Sequence, residues 1–146
     1  MAERLYIADD NDAFRTYVRR VAEGVDWEVT ECPNGFDLMQ ALSDADSADL
    51  IMLDITMPEM DGIETVLKLR ENETRSPICF VTGGPSVHAM TARLIAEADD
   101  FDIVGVLTKP ISVDELLSVL DRVRRDIAVA RGATDQASDS GDREIT

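Results

Sequence analysis

The chain has 146 residues, enough for one domain with a full core. Its 30 acidic residues against 14 basic ones give a formal charge of −16, a field that repels phosphates and argues against nucleic acid as a partner. No apolar run approaches the length of a membrane span, and Met1-Ala2-Glu3-Arg4 lacks a signal-peptide pattern, so no membrane partner and a cytoplasmic location are expected.

Leu5-Tyr6-Ile7-Ala8 is a short apolar run that ends at Asp9-Asp10 and predicts a first strand. Phe14, Val18, Val21 and Ala22 recur at helical spacing, with Gly24 as the stop. Trp27 to Thr30 alternates like a strand, and Asn34 is placed to cap a helix carrying Phe36, Leu38, Met39 and Leu42. Leu50-Ile51-Met52-Leu53 then runs straight into Asp54. An unbroken apolar run of that length predicts a strand buried on both faces, as in a parallel sheet covered by helices.

Met60 to Arg70 reads as a third helix, and Pro77-Ile78-Cys79-Phe80-Val81 as a fourth strand ending at Thr82. Cys32 and Cys79 form no ligand-spaced cluster, and Cys79 reads as a small core residue. After the loop signal Gly83-Gly84-Pro85, Ser86 can cap a helix bearing Val87, Met90, Leu94 and Ile95. Ile103 to Leu107 is a fifth strand, followed by Thr108-Lys109-Pro110. Ser112 and Glu115 form a capping box before a strongly amphipathic helix with Leu116, Leu120, Val123 and Ile127. The domain is expected to end at residue 131. From Gly132 to Thr146 bulky apolar residues are nearly absent, which predicts a disordered acidic tail. Strands alternating with helices predict an α/β domain, a doubly wound five-stranded parallel sheet with five helices.

Asp9, Asp10, Asp54, Thr82 and Lys109 all fall at strand ends, the edge where open α/β sheets bind ligands. The set suits phosphoryl chemistry. Asp54 can act as a nucleophile and become an aspartyl phosphate. Two further carboxylates beside it would repel the incoming group, so a divalent cation is needed, and Mg2+ favours such oxygen donors. Lys109 offers a point charge and Thr82 a hydroxyl to the remaining phosphoryl oxygens. Taken singly, acids at a helix start or a surface lysine have ordinary structural explanations. The chain has only two lysines, however, and the other, Lys68, belongs to a predicted helix.

Four blocks carry a resemblance: Ala8-Asp9-Asp10, Leu53-Asp54-Ile55-Thr56-Met57-Pro58-Glu59-Met60-Asp61-Gly62, Val81-Thr82-Gly83 and Thr108-Lys109-Pro110. Over residues 3 to 130 the chain resembles the receiver domain of two-component response regulators, of the stand-alone, chemotaxis-regulator type. The resemblance implies a flavodoxin-like sheet in the order 2-1-3-4-5. It implies that Asp54 accepts a phosphoryl group from a sensor histidine kinase or a phosphotransfer protein. It further implies Mg2+ held by Asp9, Asp10, Asp54 and the backbone carbonyl of Thr56, with Thr82 as the switch hydroxyl and Lys109 as the phosphate contact. The Lys109-Pro110 bond is expected to be cis. Such a protein is not an enzyme in the usual sense, since it catalyses only its own phosphorylation and dephosphorylation.

Output is expected as phosphorylation-dependent protein binding by a single-domain regulator, on the face made by the fourth predicted helix, the fifth strand and the last helix, about Ser86 to Arg125. The output partner is unknown, and a homodimer is left open. Two departures concern that face: Val106 stands where the family often has an aromatic residue, and the stretch from Thr82 to Lys109 is a few residues longer than in compact members. Two other functions use the same residues. A small magnesium-dependent phosphohydrolase would want a second acid two residues after Asp54, where Thr56 stands; the other is a phosphorylation-independent adaptor. His88, the only histidine, reads as solvated.

Overall fold

The strand pattern of the sequence closes into one sheet. The computed structural model describes residues 2–43, 48–55, 62–83 and 101–139, with the backbone alone at 62–63 and 133–139. Five parallel strands, β1 (Arg4–Ala8), β2 (Glu28–Cys32), β3 (Leu50–Asp54), β4 (Ile78–Thr82) and β5 (Ile103–Thr108), lie in the order β2-β1-β3-β4-β5. Four helices are described: α1 (Asp12–Glu23), α2 (Gly35–Ser43), α3 (Gly62–Glu71) and α4 (Val113–Asp139). The helix expected from Ser86 lies outside the described residues, as do Thr56 and His88.

Alternation along each central strand sorts side chains to two faces. Tyr6, Ala8, Ile51, Leu53, Ile78 and Phe80 pack with Leu38 of α2 and with Val66 and Leu69 of α3. Leu5, Ile7, Leu50, Met52, Cys79 and Val81 pack with Val18 and Ala22 of α1 and with Leu116, Leu120 and Val123 of α4. Each face thus carries two described helices, and every residue of β3 and β4 is buried. That double burial is why these strands read as unbroken apolar runs. Phe80 is fully buried, and Phe80→Ala should cost about 3–5 kcal/mol, seen as a lower midpoint in urea denaturation.

The caps follow the sequence. The side-chain oxygen of Asn11 accepts from the Phe14 N–H at 2.9 Å, and that of Asn34 from the Asp37 N–H at 2.8 Å. In the capping box the Ser112 hydroxyl accepts from the Glu115 N–H, while the Glu115 carboxylate accepts from the Ser112 N–H. Gly24 ends α1 in ordinary right-handed geometry, and it is Asp26, with φ 71°, that takes the left-handed position of the turn. Helix α4 runs through Gly132 to Asp139. One glycine costs a helix interior only about 1 kcal/mol relative to alanine, and the surrounding alanines favour continuation. Residues 140–146 lie outside the described part.

Both thiols are core groups. Burial pushes Cys79 up to about 12, and burial with the nearby Asp37 carboxylate pushes Cys32 up to about 11. The folded state therefore favours the neutral thiols. That contribution is complete below the unfolded pKa of about 8.5 and is lost as pH rises through the folded values. Native protein at about pH 8 should take up no iodoacetamide by mass spectrometry, and denatured protein should take up two equivalents. Rapid labelling of the native state would contradict the buried positions.

Candidate functional site

Sheet register assembles the site. β1 and β3 are neighbours with Ala8 opposite Leu53, so Asp9 and Asp54 leave the sheet side by side. Connections diverge to opposite sides of β1 at this point, which makes it the switch point of the sheet. On the other flank Thr82 pairs with Thr108, and the Lys109 N–H donates to the Thr82 carbonyl at 2.8 Å. The Lys109-Pro110 bond is cis.

Asp9 is fully buried and Asp54 is 5% exposed, whereas Asp10 is open to solvent. One carboxylate oxygen from each can be chosen so that all three lie within 4.8 Å of one another. Lys109 Nζ sits 3.0 Å from Asp9 Oδ2 and 4.0 Å from Asp54 Oδ2. Asp9 Oδ1 accepts from the Asn11 N–H at 2.8 Å. Its Oδ2 has the ammonium as an ion partner but no aligned hydrogen bond, although it is shielded from solvent. Thr82 is buried at the end of β4.

These residues fit a hard divalent cation. The donors are all oxygens, the ligand chemistry that Mg2+ favours. The buried oxygen of Asp9 that lacks a hydrogen bond is the kind of atom a cation satisfies. The backbone carbonyl of Thr56, the remaining ligand implied by the sequence, lies outside the described residues.

Sequence reasoning missed three contributors on α1. Phe14 was legible only as part of an apolar stripe, yet its ring centroid lies 4.4 Å from Lys109 Nζ. Tyr17 donates its hydroxyl hydrogen to the Ile111 carbonyl at 2.8 Å, pinning the loop after Lys109. Arg15, 9% exposed, donates to the Asp9 carbonyl and pairs with Asp12 and Glu31. The available signal was position: α1 starts just after Asp9-Asp10, so its first turns must border the site.

Such a fold brings three acids and a lysine together at the switch point of a parallel sheet. Residues 5–121 match the response regulator receiver domain family, and the chain belongs to it. It is 30% identical over 150 residues to the transcriptional regulatory protein TrcR of Mycobacterium tuberculosis, covering 98% of this chain and 56% of that protein. It is 31% identical over 140 residues to the response regulator MprA of Mycobacterium ulcerans, covering 96% and 56%. The chain thus spans about half the length of the curated relatives it matches. Among solved structures, the chemotaxis protein CheY4 of Vibrio cholerae superposes with a TM-score of 0.72 at 26% identity, covering 84% of this chain and 99% of that one. A CheY-like receiver domain from Methanospirillum hungatei shares the fold, with a TM-score of 0.72 at 20% identity over 86% and 96%.

Proposed function

We propose that this domain is a phosphorylation switch in which Asp54 accepts a phosphoryl group from the phosphohistidine of a sensor kinase or phosphotransfer protein. The observation that supports it most is the convergence of Asp9, Asp10, Asp54 and Lys109 at one sheet edge. An Asp54 carboxylate oxygen attacks phosphorus, the P–N bond breaks, and its electron pair stays on the departing imidazole nitrogen. The product is an acyl phosphate, and attack of water on phosphorus later returns the carboxylate and inorganic phosphate. Asp9, Asp10, Asp54 and the Thr56 carbonyl would hold Mg2+, which when bound offsets the charge between the carboxylates and the phosphoryl oxygens. Lys109 moves its ammonium from Asp9 toward a phosphoryl oxygen, and Thr82 donates its hydroxyl hydrogen to another. Positioning and charge neutralisation are the main demands of such a transfer.

Output is a change in what the surface binds, carried by the stretch from about Ser86 to Arg125, which begins just after Thr82 and contains Lys109. Val106 cannot supply the rotation of an aromatic ring, so the proposed carrier starts from Thr82 at the end of β4. A partner must bind the phosphorylated form better, since only differential affinity shifts a two-state balance. The place of action is the cytoplasm. The stand-alone form expected above draws no support from relatives about twice as long.

The test is NMR shift mapping with magnesium and beryllofluoride, a mimic of the phosphoryl group. Changes should centre on Asp54 and extend through residues 86–125, and Thr82→Ala should lose the distant part. A full distant response in that variant would remove Thr82 from the pathway. Steady turnover of a phosphate ester would favour the phosphohydrolase instead.

A further inference from the structure

The groove beside the carboxylates has one wall that the phosphoryl chemistry does not explain. Asn11, Ala13, Phe14 and Tyr17 of the α1 region face Lys109, Pro110 and Ile111 across it. The Lys109 ammonium is held from two sides: Asp9 Oδ2 at 3.0 Å and the Phe14 ring at 4.4 Å. Phe14 is itself steadied by Tyr17, whose ring lies 6.4 Å away at 46°. The Tyr17 hydroxyl, bonded to the Ile111 carbonyl, fixes the backbone just beyond the lysine. A lysine side chain has four rotatable carbons and keeps no fixed position unless something holds its end. An aromatic face attracts an ammonium through its quadrupole without binding the donor hydrogens, so those stay available to an oxygen.

We infer that Phe14 is a positioning residue for Lys109. Its ring stations the ammonium above the carboxylates, ready to transfer to a phosphoryl oxygen on Asp54. This inference rests on the phosphorylation of Asp54 proposed above, and it assigns α1 a part in the reaction beyond packing. A leucine at position 14 would retain an apolar contact for the fold and lose the quadrupole. A tyrosine or tryptophan would keep it.

The experiment compares wild type with Phe14→Leu, Phe14→Tyr and Phe14→Trp, using acetyl phosphate and magnesium. Wild type should show the Lys109 side-chain CH2 signals shifted upfield by the ring, and Phe14→Leu should return them to ordinary values. Phe14→Leu should incorporate phosphate roughly three- to tenfold more slowly, and Phe14→Tyr or Phe14→Trp should restore the rate. If wild type takes up phosphate and Phe14→Leu is as fast, or if the Lys109 signals of wild type are unshifted, the positioning role is wrong and the proposed function stands. If wild type takes up none at Asp54, the failure lies in the proposed function. A slow rate that neither aromatic variant rescues also overturns the role, since packing alone would then explain it.

Discussion

Asp54→Asn is expected to abolish phosphoryl uptake from acetyl phosphate in the presence of magnesium, where wild type gains one group per chain by intact mass. Asparagine keeps the shape of the side chain but has no carboxylate oxygen to attack phosphorus, so the loss should be complete and not partial. The variant should fold, since it removes one charge from a buried cluster in which Asp9 is fully shielded and Asp54 nearly so. In metal-free buffer it should melt no lower than wild type, because like charges at close range disfavour the ionised cluster. Chelation should suppress uptake by wild type, as the phosphoryl group cannot approach three carboxylates uncompensated. A full mass gain on Asp54→Asn would place the nucleophile elsewhere, and uptake indifferent to chelation would remove the metal from the chemistry.

The site was legible where a residue's position in the chain fixed its position in space. Asp9, Asp54 and Thr82 each follow an apolar run directly and Lys109 stands one residue beyond another, and in a parallel sheet the ends of such runs share one edge. Strand order came from the resemblance to a known family, but the mutual distances were not legible, because they depend on register and side-chain geometry. Ala8 opposite Leu53 brings the two acids together, and no local pattern announces that pairing. The irregular register between β4 and β5, where Ile78 pairs with Ile103 but Cys79 with Gly105, was equally silent in the sequence. The Arg122 side chain donates to the Val104 carbonyl at that irregularity, a contact between a helix and an edge strand that only the fold creates. Phe14 was hidden for a different reason: an aromatic at helical spacing is most simply a core residue, and its contact with Lys109 joins positions 95 residues apart. The last helix is anchored in the core by Leu116, Leu120 and Val123, and once nucleated it extends at little cost per residue.

Lys109→Ala should separate the resting role of this lysine from its signalling role. The Lys109 ammonium, 25% exposed, lies 3.0 Å from the buried Asp9 carboxylate. Deleting it strands a buried negative charge. Breaking such a pair costs about 3–5 kcal/mol when both partners are fully buried, and solvent access to Lys109 should bring the loss to that lower end or beneath it. Magnesium should restore much of the lost stability. Ammonium and metal both draw on the oxygens of Asp9 and Asp54, so the variant should bind magnesium more tightly than wild type, by several-fold in calorimetry. Its melting temperature should also rise further on saturation, because ligand stabilisation grows with the ratio of concentration to Kd. Phosphorylation at Asp54 can continue in the variant, yet under the proposed function the phosphoryl oxygens would lose the cation that ties them to β5 and α4. Any gain in partner binding on phosphorylation should therefore disappear. Equal magnesium affinity in the two proteins would mean that the ammonium does not compete at Asp9, and the short ion pair would then have no bearing on how the metal enters. A gain in partner binding of wild-type size would separate Lys109 from output and leave Thr82 as the remaining candidate to carry the signal.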